Sequence, residues 1–432
     1  MLSTQALALQ LRSGAELLAL LNASVKFRVG ARLNASAHYP QYEAAWTLDE
    51  RLARFREVLE RNGVGEGDEV RLVLDGQSQA EQLLERLAAA SPSALREGVR
   101  VELADSAAVD MRGVLRGVVT ETARWLRAGG CDAFEVLDDG GGGAVWPARA
   151  NYGVLQGGDV ARGRRLETLL LGLGRLIGVC VLYADSNVTL AGALPLPLFR
   201  LVLGEELALR ELELLHASVA RSVKQMCVMA AADVASLELT FTAADGAGAT
   251  YELCARGAEC GVRGDNRFEY LQQLVWFYLA ESQPLHLLAL GVSQVCPRDW
   301  LAVFSAPMLQ VLVCGRAEFS AAELRDATAV HEHFRKHPHY MEWFWALVDE
   351  MSAEERSLLL AFITGSATLP AGGVAQLSLR IVPYFRDKDA DAALPISHTC
   401  FSLLELPLYS SKERLAERVR YAIHAVSAGH YG

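Results

Sequence analysis

From position 394 the chain runs Leu394-Pro395-Ile396-Ser397-His398-Thr399-Cys400-Phe401-Ser402-Leu403-Leu404-Glu405-Leu406-Pro407. Pro395 and Ser397 signal a turn leading into Cys400, so the thiol is expected at a loop and not inside a helix. Its neighbours Ser397, His398 and Thr399 are polar. A hydrogen-bonding or cationic neighbour raises the thiolate fraction, which a nucleophilic cysteine needs. Spacing alone leaves the alternatives open. No separate histidine and asparagine pair marks a cysteine hydrolase, and a chemically idle loop cysteine fits the same local pattern.

Around this stretch the pattern mixes strands and helices. Residues 378–382 read as a short strand and 411–426 as a final helix. Residues 341–363, with Trp343, Phe344 and Trp345, read as one amphipathic helix. Before it, residues 328–340 hold His331, His333, His337, His339, several charges and Pro338. Little there suits a core, so an interdomain linker is expected. His333 and His337 have the i, i+4 spacing of a helical zinc pair. No glutamate follows in an H-E-x-x-H arrangement and Pro338 opposes a helix through the cluster, so no metal site is expected.

Farther upstream the chain reads as mainly helical. Residues 1 to about 90 look helical, and Thr47 with Glu50 matches a capping box. Strands are expected at 70–74, 99–103, 237–241 and 250–254, with a turn at 245–248. Helices are expected at 79–90, 166–183, 207–229, 268–290 with a break at Pro284, and 301–314 around Pro307. The Gly140–Gly143 run lacks the lysine and hydroxyl residue of a P-loop and reads as a surface loop. Gly172, Gly174 and Gly178 are mis-spaced for a dinucleotide fingerprint and suit close helix packing. Cys180, Cys227, Cys296 and Cys314 lie in apolar stretches as small core residues, while Cys131 follows two glycines and is expected at the surface.

Composition limits the class. A chain of 432 residues with 51% hydrophobic and 22% charged residues is globular, of two or three domains. A net charge of -11 argues against a nucleic-acid partner. Eight cysteines are too few for a disulfide scaffold, and Met1–Gln10 has no basic start, so an intracellular protein, cytoplasmic or nuclear, is expected. The apolar region 166–203 contains Glu167, Arg175, Asp185 and Arg200, so no membrane span of ~18 charge-free residues forms. Only five of the 41 basic residues are lysines.

Beyond these patterns, the stretch from Leu394 through Tyr409-Ser-Ser-Lys412-Glu-Arg-Leu415 to Tyr421 resembles the C-lobe of HECT-type ubiquitin ligases. Phe362-Ile-Thr-Gly-Ser366, Leu369-Pro370, Gly372-Gly373 and Trp343-Phe-Trp345 are similar to the same family. So are Gly174-Arg175, Leu182-Tyr183, Leu198-Phe199 and Leu203-Gly204. The resemblance covers roughly residues 80–432 and is most specific in the last hundred.

The resemblance implies an α+β, bilobal fold. It implies a helical extension at 1–80, a mainly helical N-lobe at 81–327, a flexible hinge at 328–340 and a smaller α/β C-lobe at 341–432. It implies that Cys400 accepts ubiquitin as a thioester from a ubiquitin-conjugating enzyme and passes it to a lysine of a protein substrate. Thr399 would orient the thioester carbonyl and His398 would assist. Met226, Leu237, Leu239, Leu288 and Val292 would line the conjugating-enzyme groove. No cofactor and no metal is implied. Asp110-Met-Arg-Gly113-Val-Leu-Arg116 is a partial match, with Gly117 and Val118 where the family carries an acidic and an aromatic residue. Tyr431 stands in for a terminal phenylalanine. These departures motivate the alternative of a catalytically weak binding module of the ubiquitin pathway.

Overall fold

The computed structural model describes residues 46–427 except 77, 105–112, 138–142, 149–159, 187, 206, 208, 245–249, 280–282, 317 and 386–388. The helical expectation for residues 1–45, most of the four-glycine run, the turn at 245–248, the match at Asp110–112 and Tyr431 lie outside the described residues. Helices and short sheets alternate, giving an α+β protein of two compact units. Among the described residues one unit comprises 126–175 and 194–307; the other comprises 46–125, 176–193 and 308–427.

In chain order the principal elements begin with α1 (Leu48–Arg61), β1 (Val70–Leu74), α2 (Gln79–Ala89), β2 (Val99–Leu103) and α3 (Gly113–Arg127). A small hairpin, β3 (Phe134–Val136) and β4 (Val145–Pro147), precedes the apolar α4 (Val160–Leu182). Then come α5 (Leu196–Leu203), α6 (Leu209–Leu215), α7 (Ala217–Val228), α8 (Ala231–Ser236), β5 (Thr242–Ala244) and β6 (Thr250–Glu252). They lead to α9 (Arg267–Leu279), α10 (Gln283–Val295) and α11 (Ala306–Cys314). The last part holds α12 (Ala321–Ala327), β7 (Ala329–Val330), α13 (Pro338–Glu350), α14 (Ala353–Thr364), β8 (Arg380–Tyr384), β9 (Ile396–His398), β10 (Leu403–Pro407) and α15 (Lys412–Ser427).

Local chemistry sets these boundaries. Thr47 accepts from the Glu50 N–H while the Glu50 carboxylate accepts from the Thr47 N–H, closing the expected capping box of α1. A second such box, Ser352 with Glu355, starts α14. It divides the single helix expected over 341–363 into α13 and α14, since a cap satisfies the end of a new helix and not the middle of an old one. The strand expected at 237–241 also shifts. That segment carries only an isolated bridge, Thr240 to Gly261, and the pairing strand is β5.

Within the first unit, Gly174 of α4 serves packing. A Cβ on Gly174 would stand 2.2 Å from the Leu288 carbonyl oxygen, and one on Gly291 would stand 2.5 Å from the Leu171 oxygen. Backbone therefore meets backbone between α4 and α10, which only glycine permits. Phe241 is buried edge-on against Tyr270. Cys131, expected at the surface, is 3% exposed. It sits just before β3, its sulfur accepting from the Ala133 N–H at 3.3 Å and its carbonyl from the Phe134 N–H at 3.3 Å.

Within the second unit, β1 and β2 pair in parallel, and the Val99 N–H donates to the buried Tyr183 hydroxyl at 2.7 Å. Arg56 grips Asp185 through two hydrogen bonds of 3.0 and 2.8 Å. The sheet of the C-terminal part has the order β7-β8-β10-β9, with β10 parallel to β8 and antiparallel to β9. One cluster of buried side chains, with members from Phe319 to Ile423, forms its core.

The stretch expected as a linker is built into this core. Ala329 and Val330 form β7 against β8, and Phe334 is 1% exposed with its ring stacked on Tyr340. Two aromatic side chains among the histidines are enough to anchor it. His331, His337 and His339 are exposed, whereas His333 is half-buried with its ring edge-on against Phe385. His331 caps the single turn Glu332–Arg335 by accepting from the His333 N–H, and His339 pairs with Glu342.

Candidate functional site

The strands β9 and β10 form a hairpin in the register Leu403 opposite His398 and Glu405 opposite Ile396. Thr399, Cys400 and Phe401 make one 3₁₀ turn at its tip. Ser402 closes the turn in the left-handed region, at φ 49°, and its N–H donates to the Thr399 carbonyl at 3.3 Å. The expected turn before a loop cysteine is therefore the end of a hairpin. The Cys400 backbone forms the middle of the turn, and its side chain lies outside the described residues.

The segment Phe362-Ile-Thr-Gly-Ser366 stands behind the tip. Gly365 caps α14 at φ +79°, and a Cβ there would lie 3.6 Å from the Thr399 Cβ. The end of α14 thus abuts the residue before Cys400. Buried hydroxyls hold that helix end. Thr364 donates to the Leu360 carbonyl at 2.8 Å and accepts from the Ser366 N–H at 3.1 Å, and the Ser366 hydroxyl donates to the Thr368 carbonyl at 3.1 Å. The Thr189 hydroxyl meets the Ser366 and Thr368 hydroxyls at 3.2 and 3.1 Å. Arg116 adds a clamp, donating to the Thr364 carbonyl at 3.3 Å and to the Ser186 carbonyl at 3.1 Å. Satisfied polar groups in a buried setting fix one geometry, because breaking any of them strands another.

His398 faces Glu405, with Nε2 2.9 Å from Oε1. A carboxylate only accepts, so the proton of that contact sits on Nε2 and the ring is oriented by Glu405. Glu405 is a site residue that the pattern alone does not reveal. Its signal is the hairpin register, which makes it the diagonal neighbour of His398 on one face.

The structure divides the expected groove. Met226, Leu288 and Val292 are 5%, 1% and 1% exposed and belong to the core. Their helices α7 and α10 turn these apolar positions inward, where they pack. Leu237 is 42% exposed and Leu239 half-buried, so these two stay at the surface.

The other thiols are of two kinds. Cys131, Cys180, Cys227, Cys296 and Cys314 are buried. Burial pushes the Cys227 thiol up to about 11 and raises Cys180 as well, with help from Cys314. Such thiols are protonated at neutral pH and inert. Cys254 and Cys260 are half-exposed. Among the described residues no group of three or more histidine, cysteine or acidic side chains is arranged to hold a metal, and no helix is long and apolar enough to cross a membrane.

The family model described as HECT-domain (ubiquitin-transferase) matches residues 146–430. The chain is also 34% identical over 180 residues to apoptosis-resistant E3 ubiquitin protein ligase 1 of Mus musculus and to its Homo sapiens counterpart. Each match takes in 40% of this chain and 21% of the relative, so the chain spans about a fifth of the length of these proteins. The matched family segment includes α14, the hydroxyl knot and the whole β9–β10 hairpin, and the chain belongs to the HECT-domain family.

Proposed function

We propose that this chain is a ubiquitin ligase that carries ubiquitin on Cys400. In the first step the Cys400 thiolate attacks the thioester carbonyl of ubiquitin on a conjugating enzyme. The new C–S bond forms and the conjugating enzyme's thiolate leaves. In the second step a substrate lysine amine attacks the Cys400 thioester, an isopeptide bond forms, the amine loses a proton and the Cys400 thiolate leaves. Thioester exchange is nearly isoenergetic and aminolysis is downhill, so positioning is the protein's main contribution. Neither step calls for a metal or an organic cofactor.

The carrying observation is the Thr399–Phe401 turn at a hairpin tip, braced by Gly365 and lying inside the HECT match. Thr399, held against the end of α14, is assigned to orient the thioester carbonyl. His398, oriented by Glu405, is assigned to assist the incoming amine. Leu237 and Leu239 are assigned to the conjugating-enzyme contact, with Met226, Leu288 and Val292 supporting it from the core. We place the start of the catalytic part at Phe319, the first member of its buried cluster, and not at 341 after the expected hinge 328–340.

The test is a non-reducing gel after incubation with activating enzyme, a set of conjugating enzymes, ubiquitin and ATP. A reducible ubiquitin adduct that disappears in Cys400→Ala supports the ligase. Retained binding of ubiquitin or a conjugating enzyme with no adduct from any of them makes the chain a binding module instead.

A further inference from the structure

Two thiols lie in the first unit, in the turn that follows β6. Cys254 and Cys260 are free and half-exposed, unlike the five buried cysteines. The backbone of Phe241 ties both ends of this turn. The Leu253 N–H donates to the Phe241 carbonyl at 2.8 Å, and the Phe241 N–H donates to the Cys260 carbonyl at 3.0 Å. Leu253 and Cys260 are therefore tied to one and the same residue, at a bend of the chain.

Between them the chain folds back through two successive turns. The Gly257 N–H donates to the Cys254 carbonyl at 2.9 Å, and the Cys260 N–H donates to the Gly257 carbonyl at 3.1 Å. Arg256 takes the left-handed conformation at φ 54° that this reversal needs. Each of these turns brings its own ends within ~7 Å, Cys254 to Gly257 and Gly257 to Cys260. A disulfide needs a Cα separation of ~4.4–6.8 Å between the two cysteines, which the closing of both ends of the segment on Phe241 favours. Burial first, and the Cys260 sulfur next, holds the Cys254 thiol above its ordinary value.

We propose that Cys254 and Cys260 are a reversible oxidation site that closes to a disulfide within the turn. The oxidant is a hydroperoxide. Its O–O bond breaks as one thiolate sulfur takes a hydroxyl, giving a sulfenic acid and, with hydrogen peroxide, one water. The second sulfur then attacks the sulfenic sulfur. The S–S bond forms, the S–O bond breaks and a second water leaves. Two thiols lose two electrons and two protons, and one peroxide becomes two waters.

The disulfide would staple the turn onto Phe241. The same segment is joined to its neighbour by the Val262 N–H, which donates to the Leu239 carbonyl at 2.8 Å. Oxidation therefore stiffens the edge that carries Leu239. A consequence for docking rests on the ligase reading, whereas the disulfide does not.

The test uses the full chain, treated with hydrogen peroxide, alkylated and digested with trypsin without reduction. Trypsin cuts after Arg256, between the two cysteines, so the disulfide joins two otherwise separate peptides. The expected result is that joined pair, lost on reduction and absent from Cys254→Ser and from Cys260→Ser. Hydrogen exchange at the Gly257 and Cys260 amides is expected to slow several-fold on oxidation of the parent chain. If both thiols are still alkylated at a peroxide dose that oxidises free cysteine added to the same sample, or if each goes separately to a sulfinic acid, the proposal is wrong. Both outcomes are read in the unsubstituted chain, so a folding defect in a variant does not blur them. They are also read without a conjugating enzyme, so they stand apart from the ligase reading.

Discussion

The imidazole of His398 is fixed by the carboxylate of Glu405, 2.9 Å away on the next strand of one hairpin. Leu403 is the direct partner of His398, so Glu405 two residues on lies diagonally across the same face. The Glu405 side chain is 15% exposed and that of His398 39%. The acid is thus the sheltered, positioning member and the ring the accessible one. Through His398, Glu405 is linked to the Thr399–Phe401 turn.

Removing this partner is expected to slow transfer without emptying the turn. In Glu405→Ala the ring loses one charge-assisted hydrogen bond, worth about 1.5–3 kcal/mol. Discharge of ubiquitin from Cys400 onto free lysine should then slow roughly 10-fold or more, by the ~1.4 kcal/mol per decade of rate. Glu405→Gln keeps an acceptor and should lose less. Single-turnover discharge measures both, with loading of Cys400 as the control. Equal discharge rates in Glu405→Ala and the parent would remove His398 from the transfer step.

Gly365 is expected to be irreplaceable for its backbone and not for its space. A Cβ would meet Thr399 at 3.6 and 3.9 Å, ordinary contact distances, but φ is +79°. Gly365→Ala should therefore cost about 1–2 kcal/mol of left-handed strain, with no clash to add. Urea denaturation measures it. A cost well above that range would mean that the Thr399 contact is tighter than the distances state.

Gly174→Ala is the contrasting case. Its φ is unremarkable, yet its Cβ would stand 2.2 Å from a carbonyl oxygen and 2.9 Å from the Gly291 Cα. Both neighbours are backbone and neither can swing aside. The helices must separate, which places the loss at the top of the ~1–3 kcal/mol range for overpacking. Thermal unfolding of the two alanine variants should rank Gly174→Ala below Gly365→Ala, and the reverse order would contradict the close approach.

These contrasts show which parts of the fold are legible in the sequence. Short-range chemistry is. Thr47 with Glu50, the alternation at 70–74 and 99–103, and Gly174 of α4 each act within a few residues or demand a small side chain. Matters of facing are not. Met226, Leu288 and Val292 are as apolar as Leu237, and only the packing of α7 and α10 separates core from surface. Residues 328–340 mislead because histidines and charges dominate their composition, while Phe334 and Tyr340 decide their burial. Cys131 misleads through its two preceding glycines, which say nothing of the burial that follows them. Cys400 stands out through its local motif, whereas Glu405 and Gly365 enter the site by strand register and by the end of a distant helix.

Tyr183 carries a similar long-range dependence. Its hydroxyl accepts the Val99 N–H at 2.7 Å, and both residues are buried. In Tyr183→Phe the shape is kept and the N–H is left without an acceptor, which costs about 1–3 kcal/mol. Denaturant unfolding should show that loss, and hydrogen exchange at Val99 should accelerate. An unchanged Val99 amide would show that β2 does not depend on this contact.

Acid should weaken the second unit partly through Glu355. The Ser352 N–H at 3.0 Å holds this carboxyl below its ordinary value, and Arg420 at 2.9 Å adds to the effect against the opposing pull of burial. The folded chain thus releases this proton more readily than the unfolded chain does. Between the two values the unfolded state binds more protons, so stability rises with pH there. The contribution is whole above the ordinary carboxylate range and disappears as pH falls through the lowered folded value. Glu355→Gln can keep the capping box but cannot titrate. Its stability should fall less steeply than the parent's between about pH 5 and pH 3, where carboxylates titrate. Denaturant midpoints measured across that interval compare the two slopes, and parallel slopes would show that Glu355 is not one of the groups through which acid acts.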